Sequence, residues 1–200
     1  MEKKLIVLDG FYKDPDAIRQ QALEADYSFS SNYPGKRSIG PTDDVYDYAR
    51  TNIERILGTT ITRWEKFKGV NNQPRLDIQA MNGCFQRCFE GTNSWIHHDY
   101  MDYAAVVYLS PNITPNAGTG IFRHKATGID QWIKTDPTTE LNRHFSVNCM
   151  IDWECIFEAK NYYNRIVLYP GSMYHCSMIS GIGNTVENSR LTQVFFFDIT

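Results

Sequence analysis

Downstream of Gly58 the chain breaks into short runs rich in β-branched and aromatic residues, each bounded by Gly, Pro or Asn. Such runs read as strands, because branched and aromatic side chains fit a pleated, half-buried surface and the bounding residues supply the turns. They fall at 60–67, 76–81, 84–89, 104–109, 120–123, 165–169 and 191–198. Asn82-Gly83, between two of them, is a hairpin signal. Many short strands without intervening helical repeats pair antiparallel and bury one face against a second sheet. The expected class is therefore α+β, a double-sheet β-sandwich or double-stranded β-helix (jelly roll) with N-terminal helices packed on the outside.

The first 58 residues carry the helices. Residues 5–8 read as a short buried strand. Asp14-Pro15 then opens a helix, with Asp14 as N-cap and Pro15 in the first turn, and Ile18, Ala22 and Ala25 recur on one face. Asn32-Tyr-Pro-Gly35 has turn chemistry. A second helix is expected from near Thr42 to Gly58, with Val45, Ala49, Ile53, Ile56 and Leu57 as its apolar stripe. With 42% hydrophobic and 22% charged residues, the 200-residue chain has the composition of one globular domain. That domain divides into a helical portion at 1–58 and a jelly-roll core at 59–200, with an irregular insert at 123–150. The insert is polar and punctuated by Asp136-Pro137, as either a lid or an ordinary surface excursion would be.

Several classes are disfavoured. The net charge is −3 and no basic run stands out, so the electrostatic footprint of a nucleic-acid specialist is missing, although a local groove is compatible with the composition. Two lysines before 5–8 imitate a secretion signal, but the apolar run is only four residues long and an acid and a glycine follow it. No apolar stretch is long enough to span a membrane. The five cysteines form no CxxC pair, so reduced, mostly buried thiols in a cytoplasmic protein are the expectation. Cys84 and Cys88 make a weak zinc pair, and Asn112-Ile-Thr114 matches a glycosylation sequon by letter only.

The chemistry concentrates in Ser94-Trp-Ile-His97-His98-Asp99. In extended chain, residues i and i+2 face the same way with Cα atoms roughly 6.6 Å apart. His97 and Asp99 can therefore reach one metal ion, whereas His98 faces away and has no acid two residues on. Downstream, Asn164-Arg-Ile-Val-Leu-Tyr-Pro-Gly-Ser-Met-Tyr-His175 runs an apolar strand into a Pro-Gly turn and a histidine. Two histidines and a carboxylate suit a non-haem Fe(II) that keeps open positions. Fifteen residues later, Arg190 and Thr192 alternate onto one face of a strand, where a guanidinium fork and a hydroxyl can bind a carboxylate.

This order resembles the Fe(II)/2-oxoglutarate-dependent dioxygenase superfamily over roughly residues 76–198, whose pattern is His-x-Asp, a distal His and a later basic residue. The segments Cys84-Phe-Gln-Arg-Cys-Phe-Glu-Gly91 and Ala117-Gly-Thr-Gly-Ile-Phe122 resemble the prolyl-hydroxylase-like branch. The Asp-Gly-Phe-Tyr-Lys-Asp-Pro-Asp-Ala-Ile-Arg run near the N-terminus is similar to the opening of small bacterial and phage members. The resemblance implies Fe(II) held by His97, Asp99 and His175, 2-oxoglutarate anchored by Arg190 and Thr192, O2 as oxidant, and ascorbate as a reductant. Asp99, the carboxylate that related halogenases lack, favours hydroxylation. Two departures stand out. Prolyl hydroxylases usually carry lysine where this chain has Arg190. Where many members place a tyrosine before His-x-Asp, this chain offers Gln86 and Cys88. The second cosubstrate contact is then Gln86 or Tyr108, although Tyr108 reads first as a packed core residue.

The substrate class implied is a small molecule or a peptidyl side chain. Trp95, Trp132 and Trp153 read first as packing residues, and Trp132, in the irregular insert, is the substrate-contact candidate among them. His124 and His144 read as surface or loop residues. A cupin-like metal enzyme without 2-oxoglutarate and a non-catalytic jelly-roll binding module are the competing readings. Neither requires Arg190.

Overall fold

A computed structural model of the chain describes residues 4–28, 30, 33–38, 40–65, 82–112, 114–141, 151–179 and 181–200. The strand expected at 76–81, and with it Cys149 and His144, lies outside them. In chain order the elements are β1 (Ile6–Leu8), α1 (Pro15–Glu24), β2 (Lys36–Arg37), α2 (Asp43–Leu57), β3 (Ile61–Arg63), β4 (Phe85–Cys88), β5 (Tyr103–Tyr108), β6 (Thr119–His124), β7 (Trp153–Ala159), β8 (Ile166–Pro170), β9 (His175–Ser177) and β10 (Arg190–Ile199).

The start of α1 and the end of α2 are chemically marked. Asp14 Oδ1 accepts from the Ala17 amide at 3.1 Å, Pro15 occupies the first turn, and Ile18 and Ala22 are buried. In α2, Asp43 and Asp44 complement the N-terminal end of the helix dipole. Gly58 ends it in the left-handed region, at φ 66°, and donates its amide to Glu54 O at 2.8 Å.

The strands form two antiparallel sheets. The larger has the order β1-β8-β5-β10-β4-β2, with β3 paired to the end of β10, and the smaller has the order β7-β6-β9. β5 is buried along its whole length, as befits a central strand covered on both faces. Alternation along it separates the two faces. Tyr103, Ala105 and Val107 join Ile166, Leu168, Phe195 and Phe197 in one cluster with Ile18, Ala22, Val45, Ala49 and Ile53 of the helices. Ala104, Val106 and Tyr108 join Val167, Tyr169 and Val194 in a second cluster with Ile121 of the smaller sheet. The described residues are thus mostly β, with two helices contributing to one face of the larger sheet and the smaller sheet to the other. Among the described residues, no helix is long and apolar enough to cross a membrane.

Three strands were not legible in the sequence, and one is shorter than expected. β2 and β9 have two and three residues, too few to show a period. β7 exposes most of its middle, so its sequence lacks apolar alternation. β3 ends at Arg63 rather than running on to 67. The insert begins inside β6 and is tied down at several points. Trp132 N donates to Ser172 O, Tyr174 N donates to Asp130 O, and the Tyr174 hydroxyl donates to Thr139 O at 2.6 Å. Those bonds hold residues 130–139 beside the residue preceding His175.

Candidate active site

His97 and His175 face each other across an isolated antiparallel bridge. Each amide donates to the other's carbonyl, at 3.0 and 2.8 Å. Directly opposed residues project to the same face, and Asp99, two residues on, returns to it. The Asp99 amide donates to Gly171 O at 2.7 Å, so the loop after β8 fixes this register. One ligand atom from each of His97, Asp99 and His175 lies within 4.8 Å of the others. Among the described residues, this is the single His/Cys/Asp/Glu group so disposed. His98 does not join it; its ring stacks on Trp132 with centroids 4.7 Å apart and planes 9° apart.

The protonation pattern fits a cation. His97 Nδ1 lies 3.0 Å from Trp95 O, and His175 Nδ1 lies 2.8 Å from Met173 O. A carbonyl only accepts, so both imidazoles carry a proton on Nδ1, the tautomer that in a neutral ring leaves the Nε2 lone pair for a ligand. His175 Nε2 then stands 3.5 Å from Asp99 Oδ2, which is buried and accepts no hydrogen bond from the described residues. Two acceptors at that distance call for a positive centre between them. Burial and the neighbouring His97 push the His175 imidazole down to about 4, against an ordinary 6.5, so it is neutral at physiological pH.

Strand register builds the adjoining wall. Arg37 pairs with Gln86, Gln86 with Thr192, and Thr192 with Tyr108, so four side chains form a row across β2, β4, β10 and β5. Arg190 lies one repeat along β10 on the same face. It is buried, its Nε donates to Ala117 O at 2.9 Å, and its guanidinium carbon lies 5.9 Å from the Tyr108 ring centroid. One cavity is lined by His97, Asp99, His175, Gln86, Arg190 and Thr192. Tyr108 and Trp132 do not line it. The Tyr108 hydroxyl is engaged with Thr119 Oγ1 at 2.8 Å, and Trp132 stands behind His98. Trp95, read from the sequence as packing, borders the cavity, whereas Trp153 is buried against Tyr174.

Gln86 reaches the cavity with its side-chain amide already partly engaged. Its Oε1 accepts from Arg37 Nε at 2.8 Å and its Nε2 points at Cys88 Sγ, 3.7 Å away. Arg37 itself was missed in the sequence, where Lys36-Arg37 after a Pro-Gly turn looks like an exposed basic pair. Gly35 brings it in. At φ +70° Gly35 lies so close to β4 that a Cβ would stand 2.2 Å from Arg87 O. The three buried thiols are held in the protonated form. Cys84, Cys88 and Cys176 are buried and unbridged, and burial raises all three, Cys84 and Cys176 to about 12. Cys155 is free and exposed.

Solved structures of similar fold include HygX from Streptomyces hygroscopicus with nickel, 2-oxoglutarate and hygromycin B bound. It has a TM-score of 0.57 at 14% identity, over 98% of this chain and 82% of that one. A prolyl hydroxylase from Trichoplax adhaerens, in complex with a hypoxia-inducible-factor peptide fragment, aligns at a TM-score of 0.53 and 11% identity, over 96% and 82% of the two chains. A Pseudomonas putida prolyl-4-hydroxylase aligns at 0.50 and 16%, over 98% and 92%. At these identities the likeness is one of fold: the chain has the two-sheet architecture of prolyl hydroxylases and of a protein that binds 2-oxoglutarate. No curated protein matches it by sequence. The sequence model of a family of unknown function, DUF6445, matches residues 1–197, and the chain belongs to that family.

Proposed function

We propose that the chain is an Fe(II)- and 2-oxoglutarate-dependent oxygenase with a jelly-roll core, hydroxylating a small molecule or a peptidyl side chain. The observation that carries this reading is the meeting of the His97, Asp99 and His175 ligand atoms on the cavity that Arg190 and Thr192 also line. His97, Asp99 and His175 would hold the iron on one face, leaving the opposite positions for cosubstrate and oxygen. When bound, iron and cosubstrate supply the oxidation, in which 2-oxoglutarate, O2 and a substrate C–H give succinate, carbon dioxide and a C–OH.

The remaining tasks fall to the chain. The Trp95 and Met173 carbonyls orient the two imidazoles, so that their Nε2 lone pairs stay aimed at the metal. Ala117 O holds Arg190 by its Nε, leaving the two Nη groups for the far carboxylate of the cosubstrate, beside the Thr192 hydroxyl. Val106, Val194 and Phe196 give the cavity apolar walls that limit water.

The test is succinate formation from 2-oxoglutarate by purified protein with added Fe(II) and ascorbate, together with direct measurement of 2-oxoglutarate binding. Binding in the micromolar range with slow uncoupled turnover is expected. Protein that neither binds nor consumes 2-oxoglutarate under these conditions would sink the proposal.

A further inference from the structure

Arg190 is not the only guanidinium in the cavity. Arg37 lines the same space, is 7% exposed, and has no carboxylate within ion-pair distance among the described residues. Its surroundings hold it rigid without neutralising it. Gln86 takes its Nε, the Tyr33 ring centroid lies 4.2 Å from the guanidinium carbon, and that of Phe196 lies 5.3 Å away. Ring faces orient a cation and stabilise it without supplying a counter-charge. A buried, oriented cation of this kind is completed by an anion that arrives with a ligand.

That ligand is not the cosubstrate on the reading above. Arg37 and Thr192 stand two strands apart, roughly 10 Å between Cα atoms, and Arg190 lies a further repeat along β10. A 2-oxoglutarate reaching from the metal to Arg190 therefore has both carboxylates placed before Arg37 is considered. With Nε committed to Gln86, Arg37 offers its two Nη groups as a planar pair, which matches the two oxygens of a carboxylate.

We propose that Arg37 is the substrate anchor and that the oxidised molecule carries a free carboxylate. The inference rests on the oxygenase reading, since it assigns Arg37 the charge left over once 2-oxoglutarate is placed. The Arg37 carboxylate contact holds one end of the substrate at the β2–β4 edge of the cavity and directs the remainder toward the triad.

The test uses the full chain loaded with Ni(II) and saturated with 2-oxoglutarate, which occupies the Arg190 end. It compares calorimetric binding of benzoate with that of the near-isosteric benzamide. Benzoate is expected to bind at least tenfold more tightly, and Arg37→Gln to abolish the preference while 2-oxoglutarate affinity stays within twofold. Arg37→Lys, which keeps the charge but loses the fork, is expected to fold and to lose most of the preference. Equal binding of the two probes, or a preference that survives in both variants, overturns the proposal. So does a tenfold loss of 2-oxoglutarate affinity in Arg37→Gln, which would make Arg37 a cosubstrate residue. Failure of the wild type to bind 2-oxoglutarate at all, with the benzoate preference intact, instead counts against the oxygenase reading alone.

Discussion

Replacing Asp99 by asparagine is expected to stabilise the metal-free protein while destroying its response to metal. The geometry sets both signs. Asp99 Oδ2 is buried without a donor, and the bare Nε2 of His175 stands 3.5 Å away, acceptor against acceptor. An unsatisfied buried polar atom costs about 1–3 kcal/mol, more if charged. An asparagine at 99 can donate its amide to Nε2 and remove that penalty. Part of the gain is returned, because Asp99 also attracts the buried Arg37 guanidinium from beyond ion-pair distance. A net stabilisation of about 1 kcal/mol is therefore expected, and for a domain of this size that raises Tm by about 2–4 °C. The assay is thermal unfolding of metal-stripped wild type and Asp99→Asn, each with and without Ni(II). Wild type should melt lower without metal and rise clearly with it; the variant should start higher and barely respond. A variant that melts below wild type in the metal-free state would show that Asp99 is satisfied by the protein alone. The facing-acceptor argument would then be wrong.

Three further outcomes follow from the same geometry. Arg190→Gln removes a charged, carboxylate-binding fork worth about 1.5–3 kcal/mol, so 2-oxoglutarate affinity should fall at least tenfold with metal affinity unchanged, and calorimetry showing equal cosubstrate affinity would refute the assignment. The neutral His175 makes the metal-free protein acid-sensitive: between its folded value of about 4 and the ordinary 6.5, the unfolded chain binds a proton that the fold refuses, so stability falls as pH drops through that window. Urea titrations of metal-free protein at pH 7 and 5 should differ by about 2 kcal/mol from this group, and the difference should shrink in His175→Gln; an unchanged difference would acquit His175. Gly35→Ala places a Cβ at φ +70° against the Arg87 carbonyl, so it should cost about 1–3 kcal/mol in chemical denaturation and weaken carboxylate binding at Arg37, and a neutral effect on both would show that β2 does not depend on this close approach.

Much of the architecture could be read from local chemistry. The caps of both helices, the strands around 84–89, 104–109, 165–169 and 191–198, and the His-x-Asp alternation all depend on residues within a few positions of each other. Side-chain period and capping geometry are backbone properties, so they survive without tertiary context. β2, β7 and β9 were invisible for the opposite reason. Two or three residues carry no period, and an edge strand with an exposed middle has no buried face to mark it.

The same division holds within the site. His97, Asp99, His175, Arg190 and Thr192 were candidates because their spacing and residue types stand out along the chain. The bare Nε2 atoms, the orphaned Asp99 oxygen and the diversion of Tyr108 to Thr119 depend on partners far away in sequence. Arg37 is the clearest case. In the sequence it is one of two adjacent basic residues after a turn, where solvation is the ordinary fate of a charge. Pairing of β2 with β4, allowed by Gly35, carries it under Tyr33 and Phe196 and onto the cavity wall. The sequence by itself determined which residues could bind a metal and a carboxylate, since that is a matter of functional groups and local spacing. Tertiary structure alone decided which charges were left buried without a counter-ion among the described residues, because desolvation belongs to the packed surroundings and not to the residue.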